Sequence, residues 1–126
     1  MEIREGLYYS KEHEWAKVEG DRAYVGITDY AQDQLGDIVF VELPDIDDEL
    51  TADDRLGVIE SVKAVADVRC PLAGRVVEVN EELEATPESV NQQPYEAWIA
   101  VLEIADKKEL EDLMSAEEYR AFLEQL

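Results

Sequence analysis

Lys63 is the residue whose position in this sequence best suits covalent chemistry. It lies within residues 56–68, where two apolar runs rich in β-branched residues flank Val62-Lys63 and leave room only for a very tight turn. Such turns normally use Asn-Gly or Gly-X because their central residues adopt positive φ, and the β-branched Val62 is unsuited to that geometry. A local conflict inside a well-patterned region indicates a functional position.

A lysine at the apex of a hairpin is accessible from several sides and suits enzymatic acylation. The amine must be neutral to attack an activated acyl group, and with an ordinary lysine pKa of about 10.4 it is mostly protonated. The modifying enzyme would therefore have to supply the deprotonation. An ordinary solvated lysine at a hairpin tip fits the turn equally well. The turn by itself therefore does not decide between an acylated lysine and an unmodified one.

Other residue types that could do chemistry occur singly. His13 is the only histidine and has no second histidine or cysteine at ligand spacing, so we predict no metal site and expect its ring to pack beside Trp15. Cys70 is the only cysteine, which excludes an intrachain disulfide, and we expect it to be a small buried side chain. The sequence contains no nucleophile–base pair, phosphate loop or Gly-rich fingerprint, so it predicts no enzyme.

The elements that would position Lys63 are mainly short strands. A hairpin turn at residues 19–21 follows a first strand, and Thr28 is placed to cap a short helix over residues 29–35 that Gly36 would end. Alternation and β-branched residues predict further strands at residues 22–27, 38–43, 56–61, 64–69, 74–79 and 98–104.

The C-terminal part of the chain changes to helical spacing. Apolar residues recur at three- and four-residue intervals, and Ser115 followed by Glu118 has the pattern of a capping box, which predicts two helical segments over about residues 106–126. Their apolar stripe is expected to pack on the sheet, and a partner-binding groove is the alternative.

A faint internal repeat suggests the arrangement of the strands. Residues 36–41 resemble residues 74–79, and residues 57–60 resemble residues 100–103. Two similar β-units in a small chain predict a pseudo-symmetric sandwich or a flattened barrel.

The composition limits the partners. With 32 acidic and 11 basic residues, the net charge is −21, so the surface repels nucleic acid and anionic membranes. The acidity fits either a host with a high-salt interior or a need for solubility and steering of basic partners. No apolar run is long enough to span a membrane and residues 1–6 lack a signal-peptide pattern, so we expect a cytoplasmic protein.

A resemblance to a known family extends over nearly the whole chain. Residues 60–64, Glu-Ser-Val-Lys-Ala, resemble the lipoyl-attachment motif of glycine cleavage H proteins, in which the lysine is lipoylated. Residues 13–15 (His-Glu-Trp), 25–44 and 70–74 also resemble that family and follow its order. Some positions depart from its pattern: Gln34 stands where a histidine is common, and the loop at residues 46–55 has acidic residues in place of glycines.

The resemblance implies a single lipoyl-carrier domain over residues 1–126, mainly β, of the flattened barrel or sandwich type of lipoyl and biotinyl carriers, with its lipoyl hairpin at residues 56–70. It implies a non-catalytic carrier with lipoate on Lys63 and with Glu14 and Asp67 lining a cleft for the arm. The carrier would take the aminomethyl group of glycine from a pyridoxal-phosphate glycine decarboxylase to a tetrahydrofolate-dependent aminomethyltransferase.

Two further enzymes are implied as partners. A flavin (FAD) dihydrolipoyl dehydrogenase would reoxidise the arm by thiol–disulfide exchange, and a lipoate-attaching enzyme would modify Lys63. Two other functions remain open from the sequence: an H-like protein that donates lipoate to other lipoyl domains, and an unmodified interaction module that keeps the fold.

Overall fold

The computed structural model describes residues 1–126 as two antiparallel sheets with short helices. The helices are α1 (Asp29–Leu35), α2 (Glu82–Ala85), α3 (Ser89–Gln92) and α4 (Ala116–Glu124), with a 3-10 helix at Lys107–Asp112. The strands are β1 (Tyr8–Tyr9), β2 (Glu14–Glu19), β3 (Arg22–Ile27), β4 (Ile38–Glu42), β5 (Glu49–Leu50), β6 (Arg55–Ser61), β7 (Val65–Arg69), β8 (Gly74–Val79) and β9 (Ala100–Ile104).

The predicted mainly β class is confirmed, and the two sheets are not closed into a barrel. One sheet has six strands in the order β1-β2-β3-β9-β8-β5, and the other has three in the order β4-β6-β7. Their inner faces enclose the main core, whose members include Val25, Ile59, Val76 and Leu102. Burial of these apolar side chains from both sheets holds the layers together.

The internal repeat corresponds to one strand pair in each sheet. Strand β4 pairs with β6 in the three-stranded sheet, and β8 pairs with β9 in the six-stranded sheet, both antiparallel. The first pair is irregular between Ile38 and Phe40 and the second between Val76 and Glu78, which are matching positions of the repeat. Bulges bend a strand and increase its twist, so the two halves curve alike.

Helix α1 begins and ends at the predicted residues. Thr28 accepts the Ala31 amide through its side chain, and Gly36 ends the helix with a φ of 80°. That φ lies in a region that favours glycine. The Thr28 hydroxyl also lies 2.8 Å from the hydroxyl of Tyr119 in α4, so the last helix contacts the start of the first.

The C-terminal segment packs against the six-stranded sheet, as predicted. Tyr119 stacks on Tyr9 with ring centroids 4.6 Å apart, and Ala116 belongs to the same buried cluster as Trp15. Ser115 and Glu118 form the predicted capping box. The first of the two predicted helical segments is a 3-10 helix that ends when Leu113 becomes extended. None of the helices combines the length and the apolar character that a membrane span requires.

Candidate functional site

Lys63 lies in a two-residue turn between β6 and β7. The last paired residues are Glu60 and Val65, and the Ser61 amide donates to the Ala64 carbonyl at 2.8 Å. The expectation of positive φ at the turn is wrong, because Val62 and Lys63 are not among the residues with positive φ.

The Ser61 side chain explains how this turn forms without glycine. Its hydroxyl oxygen accepts the amide of Ala64 at 3.0 Å and the amide of Lys63 at 3.3 Å. In an ordinary β-turn the Ala64 amide would donate to the Ser61 carbonyl, whereas here it donates to the Ser61 hydroxyl. Ser61 therefore lets two residues with negative φ close the hairpin.

The segment after α1 supports the tip of this hairpin. The Val62 amide donates to the Asp37 carbonyl at 3.0 Å. A Cβ atom placed on Gly36 would lie 3.4 Å from Cε of Lys63, so the aliphatic stem of Lys63 passes directly over this glycine. The tip is thereby held against the C-terminal end of α1, and Lys63 as a residue is exposed.

A cleft of about 180 Å³ begins beside this contact. Its walls are α1, the start of β2 and the hairpin of β6 and β7. Leu35, which precedes Gly36, belongs to the lining, and so do the predicted Glu14 and Asp67; the other lining residues are Glu12, His13, Ile27, Tyr30, Ala31, Gln34, Ile59, Ala66 and Val68. The lining is mainly apolar and can accept a hydrocarbon chain.

Glu14 places a buried carboxyl group at this cleft. Only 3% of the residue is exposed. Its carboxyl oxygens accept hydrogen bonds from the Ser10 hydroxyl at 2.6 Å and the Arg69 amide at 3.3 Å. Burial raises the pKa of Glu14 from 4.5 to about 7, although both hydrogen bonds lower it. A carboxyl group with a pKa near 7 can be protonated at neutral pH, and an approaching cation favours its ionised form.

Asp67 differs from Glu14 in being exposed. It precedes the buried Val68 on β7, and its carboxylate lies 3.3 Å from the guanidinium of Arg69. Asp67 pairs with Val58 across the sheet, whereas Ala66 pairs with the buried Ile59. Alternation along a strand therefore directs the side chain of Asp67 away from the core face. Asp67 borders the cleft with its carboxylate already paired.

The structure adds aromatic residues to the site that the sequence did not single out. His13 lies 4.6 Å from Tyr30 of α1, measured between ring centroids, and its Nδ1 lies 2.8 Å from the Tyr119 hydroxyl. Our prediction that the ring packs beside Trp15 missed these contacts. Burial lowers the pKa of His13. No group of three or more His, Cys, Asp or Glu side chains is arranged to hold a metal ion.

A two-sheet fold with an exposed lysine on a hairpin beside an apolar cleft defines the class of lipoyl and biotinyl carriers. Within that class, the model of the glycine cleavage H-protein family matches residues 7–126, and the chain belongs to this family.

Relatives named as glycine cleavage system H proteins are similar to this chain over its whole length. The glycine cleavage system H protein of Thermoanaerobacter sp. (strain X514) is 58% identical over 125 residues, covering 99% of each chain. That of Halothermothrix orenii is 58% identical over 127 residues, covering 100% of this chain and 99% of the relative. The crystal structure of a glycine cleavage system H protein from Mycobacterium marinum has a TM-score of 0.86 and 32% identity, covering 98% of this chain and 100% of that chain.

Proposed function

We propose that this protein is the lipoyl carrier of the glycine cleavage system and that Nζ of Lys63 carries the lipoyl group. The observation that carries the proposal is the placement of Lys63: it is exposed on a hydrogen-bonded two-residue turn, and its stem passes over Gly36, the neighbour of the cleft residue Leu35. Membership of the glycine cleavage H-protein family supports the same function.

The residues around the cleft fit a lipoyl arm. Ile27, Leu35 and Ile59 offer apolar contact to its hydrocarbon part, and the cleft begins next to the glycine under the Lys63 stem. Asp67 lies four positions after Lys63 in the sequence, about 13 Å along an extended strand. When bound, the lipoyl group supplies reversible thiol–disulfide exchange and a sulfur that accepts the aminomethyl group of glycine.

Glu14 supplies the charge in this arrangement. Ionised Glu14 favours an ammonium group in the cleft, and the surrounding apolar side chains keep water away from it. Its two hydrogen bonds, from Ser10 and Arg69, hold the carboxyl group in place for that contact. Asp67 has a smaller part, because Arg69 competes for its carboxylate.

The chain acts as a carrier and its partners act as the catalysts. Glycine decarboxylase loads it, aminomethyltransferase unloads it to tetrahydrofolate, dihydrolipoyl dehydrogenase reoxidises it, and a lipoate-attaching enzyme prepares it. We expect the protein to work in the cytoplasm with these enzymes. Donation of lipoate to other domains and an unmodified interaction role are not favoured, since the full-length relatives are H proteins of the glycine cleavage system.

Mass spectrometry of protein from its own host tests the attachment. The chain has five lysines, and we expect one lipoyl group on the peptide containing Lys63 and none on the other four. Lys63→Arg should abolish modification by a lipoate ligase and leave the melting temperature unchanged. Lys17→Arg, an exposed lysine on β2, is the matched control and should be modified like wild type. Lipoate on another lysine, or a lipoylated Lys63→Arg protein, would refute the proposal.

A further inference from the structure

Asn91 makes three side-chain hydrogen bonds near the tip that carries Lys63, although it lies 28 positions later in the sequence. Its Oδ1 accepts the Ile38 amide at 2.8 Å. Its Nδ2 donates to the Gly36 carbonyl and to Oε1 of Gln32, both at 2.9 Å. The orientation of the amide follows from its partners, because a backbone N–H requires the oxygen and a backbone carbonyl requires the nitrogen.

These bonds connect three elements at one point. Asn91 lies on α3, Gln32 on α1, and Ile38 is the first residue of β4. Asn91 is half-buried, so the backbone groups of Gly36 and Ile38 have this side chain in place of water. The asparagine therefore binds both ends of the segment 36–38, at Gly36 and at Ile38, and Asp37 lies between these two hydrogen bonds.

Residues 36–38 are the support of the hairpin tip. The Asp37 carbonyl accepts the Val62 amide, and Gly36 lies under the stem of Lys63. If residues 36–38 move, the tip loses a hydrogen bond and the surface over which Lys63 extends. The cleft begins at Leu35, so the same movement also separates the lysine from the start of the cleft.

We propose that Asn91 is a positioning residue for the modification of Lys63: by holding residues 36–38, it keeps the hairpin tip ordered and directs the lysine along the cleft. It acts through the backbone and does not touch the reacting amine. The kinetic part of this inference rests on the proposed role of Lys63 as the lipoyl attachment site. The structural part, order at the tip, does not.

Exchange of single amide hydrogens with solvent, measured by NMR on the unmodified protein, tests the structural part. In Asn91→Ala, the loss of one net hydrogen bond should raise the equilibrium constant for opening of the tip by about tenfold. Turns open with small free energies, so the open fraction rises by less than this constant. The Val62 amide should therefore exchange at least about threefold faster. Asn91→Asp keeps an acceptor for the Ile38 amide and loses both donors. In that variant we expect fast exchange at Val62 and slow exchange at Ile38, whereas Asn91→Ala should be fast at both.

Asn80→Ala is the matched control. Asn80 is also half-buried and donates through Nδ2 to a backbone carbonyl, that of Trp98, at 2.9 Å. Asn80→Ala should lower the melting temperature, by less than Asn91→Ala because it removes one hydrogen bond and not three, and it should leave exchange at Val62 unchanged. Equal acceleration at Val62 in Asn80→Ala, or none in either Asn91 variant, would overturn the proposal.

Steady-state lipoylation by a lipoate ligase with lipoyl adenylate tests the kinetic part. A tip that is ordered for a smaller fraction of the time raises KM in inverse proportion to that fraction, by up to about threefold in Asn91→Ala, while kcat stays the same because the bound amine is the same. A loss of kcat with unchanged KM would overturn the positioning role. If wild type is not modified at all, the attachment proposal fails, and the exchange data still decide whether Asn91 orders the tip.

Discussion

Replacing Glu14 with glutamine should change how the stability of the fold depends on pH. Glu14 is buried, and its pKa rises from 4.5 to about 7, mainly because burial penalises the ionised form. Between these pH values the folded protein holds a proton that the unfolded chain has released, so the free energy of unfolding falls as pH rises. Each pH unit corresponds to about 1.4 kcal/mol, and ionisation of Glu14 therefore costs the fold about 3 kcal/mol.

Glutamine reproduces the neutral acid without titrating. Its oxygen can accept the Arg69 amide, and its nitrogen can donate to the Ser10 hydroxyl, so both existing contacts keep a partner. Glu14→Gln and wild type should have similar unfolding free energies at pH 4.5. Above pH 7 the variant should be more stable, by up to about 3 kcal/mol.

Urea denaturation from pH 4.5 to 8 at constant ionic strength measures this difference. Glu84→Gln removes one charge from the exposed surface and controls for the general effect of a lower net charge. NMR of the Glu14 carboxyl carbon gives its pKa directly. A difference between Glu14→Gln and wild type that stays constant across this range, or a carboxyl that titrates near 4.5, would refute this account of Glu14.

Three further predictions concern the rest of the molecule. With a net charge of −21, self-repulsion is screened by salt, so the melting temperature should rise steeply from dilute buffer to molar potassium chloride; a melting temperature indifferent to salt would remove the high-salt interpretation. Burial raises the pKa of the Cys70 thiol to about 12, so a thiol reagent at pH 8 should leave the folded, unmodified protein unlabelled and label it in urea. Gly36→Ala forces a Cβ into the region of positive φ and should cost about 1–3 kcal/mol of unfolding free energy, measured in urea.

Features that depend on neighbouring residues could be read from the sequence. Thr28 and Gly36 are the first and last signals of α1, and both act on backbone groups within one helical turn. The capping box at Ser115 is local in the same way. The longer strands lie where alternation and β-branched residues predicted them. Strands β1 and β5 were missed, since they have only two residues each and therefore no period to detect.

Contacts between residues far apart in the chain could not be predicted from the sequence. His13 and Tyr119 are 106 positions apart, and no spacing rule connects them. The turn at Val62 was judged by the φ preferences of its two central residues, whereas the hydroxyl of Ser61 decides its geometry. The link between Asn91 and Gly36 depends on how α3 packs against α1, which no local pattern shows.

The strand order also has a consequence for synthesis of the protein on the ribosome. The three strands of the smaller sheet are complete once Arg69 has emerged, and they pair with near neighbours in the chain. The larger sheet must wait for β9, which lies between β3 and β8, and the contact that Tyr119 makes with Thr28 comes later still. Local pairings form faster than distant ones. A nascent chain therefore exposes Lys63 on its hairpin before the six-stranded sheet, which supplies Glu14 and Ile27 to the cleft, is complete.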